Sequence, residues 1–245
     1  MQKRKIKLSV ISTLHYVKLI FRSLLFISIL VFYILDKTNH LVSFYPLPIA
    51  VWLFFVVEMV LRFFPSRFES MGCQKQFARN YEPIGEGIKP TNQSGGTTAL
   101  VAAVWLLLNA VIGVLYFTEI IDVGIVVLIS VGFSVCDIIC ILFFCPFQTW
   151  FMKNRCCTTC RIYNWDFAMM FTPLVFIPSW YTYSLLGCAL LLLFRWELTY
   201  RLHPERFSTA TNACLDCSRC EEKLCSHKTQ LRGFIKKHKD KLFKR

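Results

Sequence analysis

The chain has 245 residues, 55% of them hydrophobic, with 23 phenylalanines and a formal net charge of +13, and its mean hydropathy is +0.48. A soluble domain of this length cannot bury so much apolar side chain, so a soluble globular protein is excluded and the surplus is expected to face lipid. The expected fold class is an all-α integral membrane protein.

Crossing the hydrocarbon takes roughly 20 mostly apolar residues in a helix, and several stretches supply them. YVKLIFRSLLFISILVFYIL, near 16–35, is the first. Basic residues precede it, but its apolar run is too long for a secretory leader and no small-x-small cleavage site follows, so it reads as a retained anchor. PLPIAVWLFFVVEMVLRFF, near 46–64, is the second. The third and fourth, near 98–117 and 121–147, are separated by a short acidic turn from Glu119 to Asp122 and should form a tight hairpin. The stretch from Arg161 to Trp196 is long for one crossing and short for two. Pro173 and Pro178 break helices, and Trp180, Tyr181 and Tyr183 are rings that settle at a membrane–water interface. A turn near Ser179 therefore divides it into crossings near 162–178 and 180–197.

Lys and Arg near membrane segments are retained on the cytoplasmic side. The N-terminus MQKRKIK is basic, as are the 65–97 loop (Arg67, Lys75, Arg79, Lys89) and the 148–166 loop (Lys153, Arg155, Arg161), whereas the intervening connections are neutral or acidic. This alternation predicts six crossings with both termini cytoplasmic. It gives a transmembrane bundle over 1–198 and a basic, Cys-rich cytoplasmic tail over 199–245. The net charge then lies against anionic lipid headgroups, where each basic residue contributes on the order of 1 kcal/mol. Beyond the bilayer, the basic tail HKTQLRGFIKKHKDKLFKR carries no recognition motif, so nucleic acid is not expected as a partner.

Two cysteine groups fall on this cytoplasmic side, where structural disulfides are rare. One holds Cys156, Cys157 and Cys160; the other, CLDCSRCEEKLCSH, holds Cys214, Cys217, Cys220, Cys225 and His227. C-x-x-C spacing presents two thiolates to one metal, and it occurs at Cys157/Cys160, Cys214/Cys217 and Cys217/Cys220. Zinc takes four tetrahedral S or N ligands, which two such pairs supply. An iron–sulfur cluster takes four thiolates, and C-x2-C-x2-C with a later cysteine approaches a ferredoxin run, although the last gap is one residue too long. Cys136, Cys140, Cys145 and Cys188, inside apolar segments, are expected to pack as small hydrophobes.

CRIYNWDFAMMFTPLVFIPSWYTYSL from Cys160, with HPERF at His203 and the cysteine tail, resembles uncharacterised prokaryotic multi-pass membrane proteins whose cytoplasmic segments carry C-x-x-C pairs. The resemblance covers about the last third of the chain and implies no activity for any residue.

Charges within the bilayer cost at least roughly 2.5 kcal/mol, so they usually have a partner or a task. Glu58 and Asp137 are the acids so placed, and Asp137 is expected to be protonated, or hydrogen-bonded to a neighbour such as Asn109, and to serve only helix packing. No G-x-S-x-G, Walker loop, H-E-x-x-H or dinucleotide-binding glycine run is present, so the reading leans away from an enzyme. Three classes remain: a membrane protein whose cysteine module is a metal-stabilised structural or docking element, a membrane redox protein with an iron–sulfur cluster, and a small transporter using Glu58 and Asp137.

Overall fold

A computed structural model describes residues 10–39, 46–65, 71–85, 87–91, 95–153 and 159–216. Among them the secondary structure is helical, and the β pairing is an isolated bridge between Pro83 and Asn212. Three helices are long and apolar enough to cross a membrane, over Thr13–Lys37, Gly95–Phe117 and Val123–Leu142.

Helix α1 spans Val10–Asn39. No Pro or Gly interrupts that stretch, so the helix outruns the apolar core expected at 16–35 at both ends. Helix α2, Pro46–Arg62, opens on two prolines in its first turn, where the missing N–H is no loss. After the short α3, Met71–Gln76, come α4, Gly95–Phe117, and α5, Val123–Leu142. The acidic turn expected between α4 and α5 is present. Asp122 caps α5, its Oδ1 accepting the Ile125 N–H over 2.9 Å, and Glu119 takes the left-handed conformation. Helix α5 ends short of the expected 147, because Pro146 has no N–H to donate to Leu142 and cannot extend the ladder. A π-helical turn, Phe147–Phe151, follows.

The 162–178 segment is a broken helix rather than a regular one. A 3-10 turn, Arg161–Trp165, runs into α6, Asp166–Phe171, and then into a second 3-10 turn, Thr172–Phe176, which contains Pro173. The chain is extended at Ser179, where the turn was expected, and α7 begins at Trp180. It continues to Leu202, five residues past the expected end at 197, and stops where Pro204 follows His203.

The core lies between α1, α2, α5, α6 and α7, around Phe55, Met59, Met170, Phe171, Leu192 and Trp196. Helix α1 packs along α5, and α2 along α7. Close backbone approach is needed at Gly113 of α4, where a Cβ would stand 2.6 Å from the Phe176 ring.

At one end of the bundle the start of the tail is docked rather than free. Asn212 is fully buried: its Oδ1 accepts from the N–H groups of Glu82 and Cys214, and its Nδ2 donates to the carbonyls of Lys75 and Arg206. Ala213 N–H donates to Glu82 O, Ile84 N–H to Thr211 O, and Thr91 N–H to Ser208 Oγ. Phe207 packs edge-on against Trp196 and Tyr200. The 71–91 region and residues 203–216 thus form one cap. Asn164 joins it by donating from Nδ2 to Gln76 Oε1 over 2.8 Å.

Candidate functional site: a buried ionic chain beside a thiol-lined pocket

Lys18 and Arg22 stand one turn apart on α1 and therefore share a face. Arg22 is 2% exposed. Its Nη2 donates to Glu58 Oε2 of α2 over 2.7 Å, and its Nη1 to Asp137 Oδ2 over 3.1 Å and Ser134 O over 2.8 Å, both on α5. The guanidinium also lies 5.6 Å from the centre of the Phe55 ring. Lys18 Nζ forms an ion pair with Glu58 Oε1 over 2.9 Å. One turn on from Glu58, Arg62 pairs with Asp166 at the start of α6 and lies over the Phe167 ring.

Three cations, Lys18, Arg22 and Arg62, thus meet three acids, Glu58, Asp137 and Asp166. A lone charge at such depth is costly, and a balanced set with shared hydrogen bonds removes much of that cost. The sequence identified Glu58 and Asp137 but not their partner. The expected Asp137–Asn109 pairing does not form: Asn109 Nδ2 donates back to Trp105 O of its own helix over 2.9 Å, and Asp137 bonds Arg22. The available signal was Lys18 and Arg22, two cations at i, i+4 inside an apolar run.

A second ionic group stands where the 159–165 segment meets α7. Arg161 grips Glu197 with two bonds, Nη2 to Oε2 over 2.6 Å and Nε to Oε1 over 3.3 Å, and the Trp165 indole adds a third over 2.8 Å. Arg195 donates to Phe63 O, beyond the end of α2.

Between α4, α5 and α6 lies a pocket of about 140 Å³, with Asp137 and Asp166 on its wall. Cys136 and Cys140 of α5, Cys145 just beyond it, and Cys160 line the same space. The Gln148 N–H donates to Cys145 Sγ over 3.4 Å. Three of the cysteines expected to serve as packing therefore border open space.

Of the candidate metal ligands, Cys160 is buried on this pocket wall, and Cys214 is half-buried in the 3-10 turn Ala213–Leu215. Cys156, Cys157, Cys217, Cys220, Cys225 and His227 lie outside the described residues. Among the described residues no three His, Cys, Asp or Glu side chains converge as a metal-holding group.

Family models, curated proteins and solved structures give no match to this chain, so the functional reading rests on its own residues.

Proposed function

We propose that this is a six-crossing membrane protein of a prokaryotic cytoplasmic membrane, with both termini cytoplasmic, that carries a metal-tied cysteine module on its cytoplasmic face beside anionic headgroups. The supporting observation is on α3. Gln76 accepts a hydrogen bond from Asn164, four residues past Cys160, and the adjacent Lys75 carbonyl accepts one from Asn212, two residues before Cys214. Both cysteine-bearing segments are thus anchored on consecutive residues of one short helix, so neither is free to leave that end of the bundle. Zinc or an iron–sulfur cluster bound there makes binding free energy into folding free energy for the tail.

The test is elemental analysis and visible absorbance of protein purified without chelator or oxygen. About one zinc per chain, colourless, or iron with visible absorbance is expected. The double variant Cys217→Ser/Cys220→Ser should lose the metal. Neither zinc nor iron above trace overturns the reading. Reporter fusions after Lys37, Glu119 and Ser179 should report outside, and fusions after Lys75, Asn154 and Thr229 inside; an outside signal at Thr229 removes the sixth crossing.

One observation favours a second reading, a small proton-linked transporter: a single guanidinium serves both Glu58 and Asp137, and Asp137 lines the pocket. Protonating Asp137 removes the charge that faces Arg22 Nη1 and leaves that nitrogen only its bond to Ser134 O, so a proton weakens what holds α1 to α5. A pH-dependent change in Trp105 fluorescence, absent in Asp137→Asn, is the expected result; the same change in that variant rules this reading out.

A further inference from the structure

Asp137 is bonded through one oxygen and open at the other. Arg22 takes its Oδ2, whereas Oδ1 has no hydrogen-bond partner among the described residues and is not sealed off: the side chain keeps 16% of its surface and lines the pocket between α4, α5 and α6. Asp166 borders the same space, with its Oδ2 held by Arg62. Among the described residues no Lys, Arg or His lines it. Arg22 and Arg62, which balance the two acids, are 2% and 6% exposed and lie outside its wall, so the charge that borders the pocket is negative.

The rest of the wall is largely aromatic and apolar. Trp105, Phe133, Phe147 and Tyr163 border the space, and the Trp105 and Phe133 rings meet at 60° with centroids 5.0 Å apart. The pocket holds about 140 Å³, and an apolar cavity of roughly 150 Å³ holds benzene, so one compact group of that size fits. Cys136, on the same wall, is exposed.

These surroundings select among cations. A metal ion or a primary ammonium is strongly hydrated, and a largely apolar wall does not replace the water it gives up. A quaternary ammonium has no N–H to satisfy. Its methyl surface gains by leaving water, aromatic faces attract its spread charge, and a carboxylate acts on it through space without a hydrogen bond. We propose that this pocket binds a compact quaternary ammonium ion, held by the charges of Asp137 and Asp166 against the Trp105, Phe133, Phe147 and Tyr163 rings. The occupant is a free cation rather than the choline head of a lipid, whose phosphate would meet two carboxylates and no basic residue on the wall. This names a substrate class for the transporter reading and rests on that reading for movement, whereas binding rests on the pocket alone.

The test titrates the full chain, in an uncharged maltoside detergent, with choline and with 3,3-dimethylbutan-1-ol, the neutral isostere in which carbon replaces the nitrogen. Calorimetry should give saturable choline binding, with the isostere weaker by at least roughly tenfold. Choline should slow alkylation of Cys136, read by peptide mapping, and leave Cys188 of α7 unchanged. Asp137→Asn should weaken choline binding roughly tenfold. Trp105→Leu, which keeps an apolar wall but removes a ring face, should weaken it roughly fivefold and serves if Asp137→Asn fails to fold. Equal affinity for the isostere overturns the proposal, as does binding that leaves Cys136 as reactive as before. Protection of Cys136 by added phosphatidylcholine alone assigns the pocket to a lipid headgroup and overturns the free cation. Choline binding without the pH-dependent Trp105 fluorescence supports this site and sinks the proton linkage. That fluorescence change without choline binding overturns this inference and leaves the transporter reading standing.

Discussion

The guanidinium of Arg22 lies 2.7 Å from Glu58 Oε2 and joins α1 to α2 inside the bundle. Removing one member of a buried pair strands the other charge, which typically costs about 3–5 kcal/mol. Arg22→Met should therefore lower the melting temperature in detergent sharply, and the triple variant Arg22→Met/Glu58→Gln/Asp137→Asn should recover most of the loss, because no acid is then left unpaired. A single variant as stable as the parent would show that the chain of charges contributes nothing to the fold.

Asn212→Ala removes two donor and two acceptor bonds and leaves the Lys75 and Arg206 carbonyls without that partner. Each such loss costs on the order of 1 kcal/mol or more. The cap should open while the bundle holds: tryptic cleavage after Arg206 should accelerate at least roughly tenfold, about 1.4 kcal/mol of local opening, with little change in the melting of the transmembrane helices. Unchanged cleavage would mean that other contacts suffice to hold residues 203–216.

Burial pushes the Asp122 carboxyl up, but the Ile125 N–H, the Tyr33 hydroxyl and the Lys37 ammonium outweigh it and hold this group below its usual value. A depressed carboxylate adds stability above its unfolded value, near pH 3.9, and that contribution fades as pH falls through the folded one. Between pH 7 and 5 the contribution should be constant. Asp122→Ala should weaken the start of α5 by about 1 kcal/mol in that range, and the gap between variant and parent should narrow below about pH 4. Thermal melts across pH 3–7 in detergent give the check, and a gap that widens in acid would reverse the assignment.

Gly113→Ala should destabilise by about 1–3 kcal/mol, since its Cβ would meet the Phe176 ring. Gly187→Ala is the control: nothing lies within 4 Å of its added Cβ, and α7 gains helix propensity of up to about 1 kcal/mol. Paired melts should move in opposite directions.

Much of the helical layout was legible because it is local. The apolar runs, the acidic turn from Glu119 to Asp122 and the division at Ser179 depend on residues within a few positions of one another; the helix stop before Pro146 is local too, but the apolar run reads on through it to 147. The Asp137 partner was not local: Arg22 is 115 residues away, and which helix faces which is set by packing over the whole bundle. Cys136, Cys140 and Cys145 have ordinary apolar neighbours in sequence, so nothing there marks the space they border. Asn212 was missed because its work is done by four hydrogen bonds, and polar side chains in a basic tail give no periodic signal.

The order of synthesis adds a consequence to the ionic chain. Chains emerge from the N-terminus at about 5–20 residues per second, so Glu58 follows Arg22 by 36 residues whereas Asp137 follows it by 115. When only α1 and α2 have been made, the ionic chain consists of Lys18, Arg22 and Arg62 against Glu58 alone, an excess of two positive charges. Asp137 of α5 and then Asp166 of α6 supply the missing counter-charges, which makes the first hairpin an electrostatic receptor for the helices that arrive after it.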